Sequence, residues 1–181
     1  MNTGRQNDRR KNLFNIATAN ARSVELKLDS LFDMIYNYDL NAVLLTETWI
    51  KIDKNFERIK EEIRMNRGLD IICYNRPGKR NGGGVAIVFD PSKIKLTEHR
   101  FARHGIEMVA AKGKIIGDSR SIYLYSIYLP PNLTKKRVQH AREIVSEEIA
   151  KNKIESEGPL ILLGGDFNQF GLEGFLSLIH I

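Results

Sequence analysis

Cysteine is nearly absent: one residue, Cys73, in a chain of 181. A lone thiol forms no intramolecular disulfide and offers no cysteine cluster for zinc, so a reducing, intracellular setting is expected. Inside "LDIICYN" it reads as a small buried hydrophobe. Long apolar runs are also missing. None approaches the ~20 residues that a bilayer-spanning helix takes, so no membrane association is expected. The opening "MNTGRQNDRRKN" is polar and basic with no hydrophobic segment after it, so no secretory signal is expected. It reads as a flexible basic tail over residues 1–11. Internal repeats, low-complexity tracts and long linkers are lacking. His99, His104 and His140 show no metal-ligand spacing and read as surface histidines.

What remains is an ordinary globular composition, 42% hydrophobic and 28% charged, in a length that suits one domain with a sizeable core. The net charge of +6 favours polyanionic partners and is a usual footprint of nucleic-acid binding.

The first unit, "LFNIATANARS", alternates as a strand from Leu13 to Ala19. Ser23 is placed to cap a following helix, with Glu25 in its first turn where the helix dipole favours an acid. Leu28, Leu31, Phe32 and Ile35 recur at helical spacing, and "NAVLLTE" then reads as a strand covered on both faces. Strand, helix and strand make a βαβ-like unit. A helix is expected over Asn55–Met65. "LDIICYNR" and "GGVAIVF" read as strands joined by the basic loop "PGKRNG", and "KIKLTEH" as another. "IEMVAAKGKII" and "RSIYLYSIYL" flank a "GDS" turn as a hairpin. Thr134 caps a helix to Lys153 with Val138, Ala141, Val145 and Ile149 inward, and "PLILLGGD" ends the pattern as a buried strand. Mixed strands with helices at both ends of the order predict an α/β domain of two packed sheets flanked by helices.

Three apolar strands end in polar residues: Asn20 after "NIATA", Glu47 after "AVLLT", and Asp166 with Asn168 after "LILLGG". A fourth delivers Tyr128 before a proline turn. Polar side chains at strand ends are where sheet-based folds build sites, because the scaffold is rigid and the loops are open. Glu47 alone also reads as a solvated acid, and Asp166 alone as an Asx-turn former. Together they suit phosphodiester cleavage. Mg²⁺ takes oxygen ligands and needs only one or two carboxylates, which Glu47 would supply. Asp166 would orient or deprotonate a water. Asn20, Asn168 and Tyr128 would donate hydrogen bonds to phosphate oxygens as charge builds. Small residues in "GGD" would let a phosphate approach the backbone.

"ATANARS", "LLTETW", "RNGGGVAIVF" and "LLGGDFN", in that order, resemble the exonuclease–endonuclease–phosphatase superfamily from about Asn12 to Phe170. "TETW" and "GGGVAI" look most like the apurinic-type endonuclease domain of non-LTR retrotransposon polyproteins. The resemblance implies a four-layer α/β/β/α sandwich of two mixed sheets. It also implies a Mg²⁺-dependent endonuclease (Mn²⁺ being the alternative ion) that nicks target DNA in the nucleus and belongs to a polyprotein with a reverse transcriptase. By the same resemblance Asn20 helps position catalytic groups and phosphate, Glu47 is a metal ligand, and Tyr128 contacts the phosphate. Asp166 and Asn168 then act in nucleophile activation and transition-state stabilisation.

The implied pattern continues with another Asn or Thr and then Ser-Asp-His; neither follows Asn168 here, and His180 has no Asp before it. The expectation is a domain over 12–181 that lacks its last strands, with impaired activity. Alternatives are a non-catalytic DNA-binding remnant and a phosphatase acting on a small phosphoester. Arg76, Lys79 and Arg80 in "NRPGKRNGGG" are candidate DNA contacts, each of which would steepen the salt dependence of binding; a solvated turn is the alternative. "KKR" at Lys135–Arg137 is a further basic cluster, also readable as a solvated helix face. Trp49 reads as packing beneath the site, with stacking on a base as the alternative.

Overall fold

In the computed structural model, residues 14–51, 54–66, 68–75, 82–103, 106–152 and 159–168 are described. The basic tail, the loop bearing Arg76, Lys79 and Arg80, and residues 169–181 lie outside them.

The first βαβ unit forms as its pattern predicts. Strand β1 (Ile16–Asn20) pairs in parallel with β2 (Ala42–Thr46), and helix α1 (Leu28–Asn37) connects them. Leu28, Leu31 and Ile35 are buried on one face of α1, the spacing that the sequence shows. The helix start differs from expectation. A 3-10 turn over Glu25–Lys27 precedes α1, and no side chain caps either element. Ser23 instead sits at φ 85 with its N–H donating to the Glu47 carbonyl at 2.9 Å. The backbone bond to the next strand end takes precedence over a cap.

Helix α2 (Lys54–Met65) is followed by β3 (Asp70–Tyr74) and β4 (Val85–Phe89), an antiparallel pair. Because β4 also pairs antiparallel with β2, the first sheet runs β1-β2-β4-β3. All five residues of β2 and of β4 are buried, as a central strand covered on both faces requires.

The second sheet is β5-β6-β7-β8. Strands β5 (Ile94–Arg103), β6 (Ile106–Ile115) and β7 (Ser121–Tyr128) form an antiparallel meander, with Gly117 at φ 90 in the β6–β7 turn. After helix α3 (Lys135–Asn152), β8 (Leu160–Asp166) joins β7 in parallel. The Thr134 hydroxyl accepts from the Arg137 N–H at 3.4 Å, a long version of the expected cap. Val138, Ala141 and Val145 face inward as read; the Ile149 side chain lies outside the described residues.

Three apolar clusters give the layer order. One joins α1 and α2 to the first sheet, a second lies between the sheets, and a third joins α3 to the second sheet. The chain therefore adopts the α/β sandwich of two mixed sheets flanked by helices. Ser126, fully buried on β7, donates to the Leu45 carbonyl of β2 at 2.8 Å and ties the two sheets at their centre. Strand β8 departs from expectation: it is half-buried, with Leu162 40% exposed, because it stands last in its sheet among the described residues. Among those residues no helix is long and apolar enough to cross a membrane.

Candidate active site

The parallel register sets the site. Asn20 lies level with Thr46 at the ends of β1 and β2, and Tyr128 lies level with Asp166 at the ends of β7 and β8. Packing the sheets brings these ends together. A cleft of about 350 Å³ opens between them, lined by Thr18, Asn20, Thr46, Asp166, Phe167 and Asn168 among others.

Across this cleft the Asn20 side-chain amide donates to Asp166 Oδ2 at 2.8 Å, a bond between residues 146 positions apart. The Asn168 N–H donates to Asp166 Oδ1 at 3.0 Å. Both carboxylate oxygens thus have fixed donors, and each keeps acceptor capacity for a further proton. The second bond is an Asx-type turn, so the plain structural role read for Asp166 is realised alongside its place in the cleft. Asn20 is oriented in turn by the Arg22 N–H, which donates to its Oδ1 at 3.2 Å. The Asn168 amide donates to the Leu129 carbonyl at 2.7 Å, leaving its second N–H to face other partners.

Glu47 follows β2 on a contorted corner. Glu47 and Trp49 have φ of 53 and 55, a left-handed conformation that L-residues adopt at a cost. The corner is laced to its neighbours: Thr48 N–H to the Gly84 carbonyl at 3.2 Å, Trp49 N–H to the Gly83 carbonyl at 2.9 Å, and Val24 N–H to the Thr48 carbonyl at 3.0 Å. Two donors converge on Glu47 Oε2, the Trp49 indole at 2.6 Å and the Gly83 N–H at 3.1 Å.

Trp49 is therefore not packing beneath the site. It is 44% exposed and holds Glu47 by its polar edge. The three glycines before β4 all have positive φ, and a side chain at Gly84 would put its Cβ 2.4 Å from the Thr48 hydroxyl. The "GGD" glycines also serve a packing purpose beyond the one read. A Cβ at Gly164 would meet Leu44 at 2.7 Å, and one at Gly165 would meet the Ile127 carbonyl oxygen at 1.9 Å. They let β8 pack against protein; Gly165 also lines the cleft.

Tyr128 is buried between the sheets, 5% exposed, behind the cleft rather than in its lining. Sequence reasoning missed Thr46, whose buried hydroxyl has no hydrogen-bond partner among the described residues and which lines the cleft. It also missed Glu107, a buried acid hidden in the apolar pattern of β6. The DNA-contact candidates Arg76, Lys79 and Arg80 lie outside the described residues; Lys135, Lys136 and Arg137 are exposed at the start of α3.

Among the described residues no group of three or more His, Cys, Asp and Glu is placed to hold a metal by itself. The donors at the strand ends are oxygens, one carboxylate from each sheet. Glu47, like Tyr128, is not among the residues that line the cleft; its carboxylate is the kind of oxygen donor that a hard cation takes while completing its shell with water and substrate oxygens.

A model of the Endonuclease/Exonuclease/phosphatase family matches residues 13–176. Among solved structures, the fold is similar to a Bacteroides thetaiotaomicron mannosyl-6-phosphatase, with a TM-score of 0.69, 15% identity, and coverage of 91% of this chain and 70% of that one. D. rerio TDP2 complexed with single-strand DNA product gives a TM-score of 0.60 at 15% identity, over 91% of this chain and 64% of that one. The endonuclease domain of TRAS1, a telomere-specific non-LTR retrotransposon, gives 0.57 at 15% identity, over 87% and 62%. At these identities the likeness is one of fold, and the chain spans less than two thirds of the last two structures. No curated protein sequence matches.

Proposed function

The chain belongs to the Endonuclease/Exonuclease/phosphatase family, whose members are hydrolases, and from that premise we propose that it is a divalent-metal-dependent phosphodiesterase that nicks DNA. Its kind is the apurinic-type endonuclease of non-LTR retrotransposon polyproteins. The observation that carries this reading is the Asn20–Asp166 hydrogen bond of 2.8 Å, which joins the two sheets at the cleft and fixes a carboxylate there. The net charge of +6 and the "TETW" and "GGGVAI" motifs favour DNA over a small phosphoester.

In this reading Asp166 orients the attacking water and takes its proton, held in place by Asn20 and the Asn168 N–H. The remaining Asn168 N–H donates to a phosphate oxygen as negative charge builds; Tyr128, buried outside the cleft lining, is given no phosphate contact. Glu47 holds Mg²⁺, or Mn²⁺ in its place, with Trp49 and Gly83 setting the direction of the carboxylate. When bound, the cation supplies neutralisation of charge on the phosphate and on the leaving oxygen.

Incubation with supercoiled plasmid and, separately, a soluble phosphomonoester tests the substrate class. Nicked circles that require Mg²⁺ and disappear in Asp166→Asn support the proposal. Turnover of the phosphomonoester without nicking would replace DNA by a small substrate. Metal-independent, salt-sensitive DNA binding without nicking, unchanged in Asp166→Asn, would make the chain a non-catalytic binder.

A further inference from the structure

Glu107 is a carboxylate only 5% exposed, within a strand whose neighbours Met108, Val109, Ala110 and Ala111 are all buried and apolar. Withdrawing a carboxylate from water is costly unless specific partners offset it. Position 107 shares the inner face of its sheet with Val109 and Ala111, which pack between the sheets. From there the side chain reaches the opposite sheet, where Oε2 accepts a hydrogen bond from the buried Gly84 N–H.

That bond is the first of a short series. Gly84 is joined to Gly83, whose N–H donates to Glu47 Oε2 at 3.1 Å and whose carbonyl accepts from Trp49 N–H at 2.9 Å. The Trp49 indole closes on the same carboxylate oxygen at 2.6 Å. Glu47 and Trp49, at φ of 53 and 55, keep that conformation only while their surroundings over-determine it. Glu107 also lies level with Tyr128 on the neighbouring strand, so it stands where both sheets deliver polar residues to the site.

We propose that Glu107 is the positioning residue for Glu47: it fixes the Gly83–Gly84 backbone so that an amide and an indole converge on one carboxylate oxygen. Its functional consequence rests on the reading of Glu47 as a metal ligand; its structural content does not.

Trp49 is the single tryptophan, so its indole N–H gives one resonance that reports the bond to Glu47 without metal or substrate. Two measurements are made on the wild-type chain and on Glu47→Ala, Glu107→Ala, Glu107→Asp and Glu107→Gln: that resonance, and Mn²⁺ affinity by calorimetry. Glu107→Gln retains an acceptor at the same reach and is expected to stay near wild type in both. Glu107→Ala and Glu107→Asp, which lose or shorten the reach, are expected to move the indole resonance toward its position in Glu47→Ala. They should also weaken Mn²⁺ binding roughly 10- to 100-fold, the usual cost of losing a group that orients a ligand. A folded Glu107→Asp with both values unchanged overturns the proposal. If Glu107→Ala does not fold, the Asp and Gln pair decides. Without any substitution, the Gly84 amide should exchange slowly with solvent; fast exchange overturns the proposal too. A wild-type chain that binds no Mn²⁺ would sink the metal reading of Glu47 and leave the indole comparison to judge Glu107.

Discussion

Glu47 and Asp166 arrive at the same end of the sandwich from different sheets, and they are held in different ways. Glu47 sits on a corner of left-handed residues, its carboxylate bound to one backbone amide and to an indole, with three glycines nearby. Asp166 ends a half-buried strand and is held by one side-chain amide from across the cleft and one N–H two residues on. The corner has several contacts that share residues. The strand tip has few, and they are local to the carboxylate. On the proposed reading, such a site would pair a fixed metal ligand with an acceptor whose surroundings have room to adjust around a substrate.

Substitution at the two carboxylates should separate these modes. Asp166→Asn and Glu47→Ala are both expected to cut nicking by roughly 10²- to 10⁴-fold, the range for losing a general base or an equally placed group. Their stabilities should differ. Asparagine at 166 keeps one of the two hydrogen bonds, and the bond it loses is exposed, so its melting temperature should fall less than that of Glu47→Ala. Alanine at 47 leaves the buried Gly83 N–H without its carboxylate acceptor, at a cost of about 1–3 kcal/mol. Equal melting curves for the two variants would erase the distinction.

A smaller effect is expected at Gly84→Ala. The added methyl meets the Thr48 hydroxyl, and φ of 84 disfavours any side chain there. Overpacking of this kind costs about 1–3 kcal/mol, so chemical denaturation should show a lower midpoint. Ser126→Ala removes the tie to the Leu45 carbonyl and should cost about 1 kcal/mol by the same measurement, with no effect on the shape of the Glu47 corner.

The smallest effect lies far from the cleft, in the β6–β7 turn. The side-chain hydrogen bond from Arg120 holds the Asp118 carboxyl below its ordinary 3.8, at about 2. A lowered folded-state value favours the fold above the ordinary value and loses that contribution as pH falls from about 4 through 2. Asp118→Asn should therefore lower the melting temperature slightly at pH 7, with the difference vanishing near pH 2. High salt should shrink it, because the pair is at the surface.

The same contrast marks what the sequence could disclose. Asn20, Asp166 and Asn168, which line the cleft, were legible because each follows an apolar run, and a polar residue at a strand tip is conspicuous; Glu47 and Tyr128 follow such runs too but do not line it. The two-sheet architecture was legible from the same runs and from the helical spacing of Leu28, Leu31 and Ile35. The corner around Glu47 was not. Its supports come from Gly83 and Gly84 in the next pair of strands and from Glu107 on the other sheet, so no local spacing links them. Glu107 is masked by the apolar residues after it, and its partner lies 23 positions earlier. Trp49 was misread because an indole's bulk suggests packing, while here its N–H carries the role. The glycines of "GGD" were read as room for a phosphate, and the packing of β8 on β1, β2 and β7 accounts for them first.

The most direct test of a shared site is a crystal structure with Mn²⁺ and a DNA duplex, using manganese anomalous scattering to locate the ion. The expected result is manganese bonded to a Glu47 oxygen and to a phosphate oxygen, with Asp166 facing the same phosphate from the other sheet. Manganese bound elsewhere, or a phosphate that touches neither Glu47 nor Asp166, would contradict it.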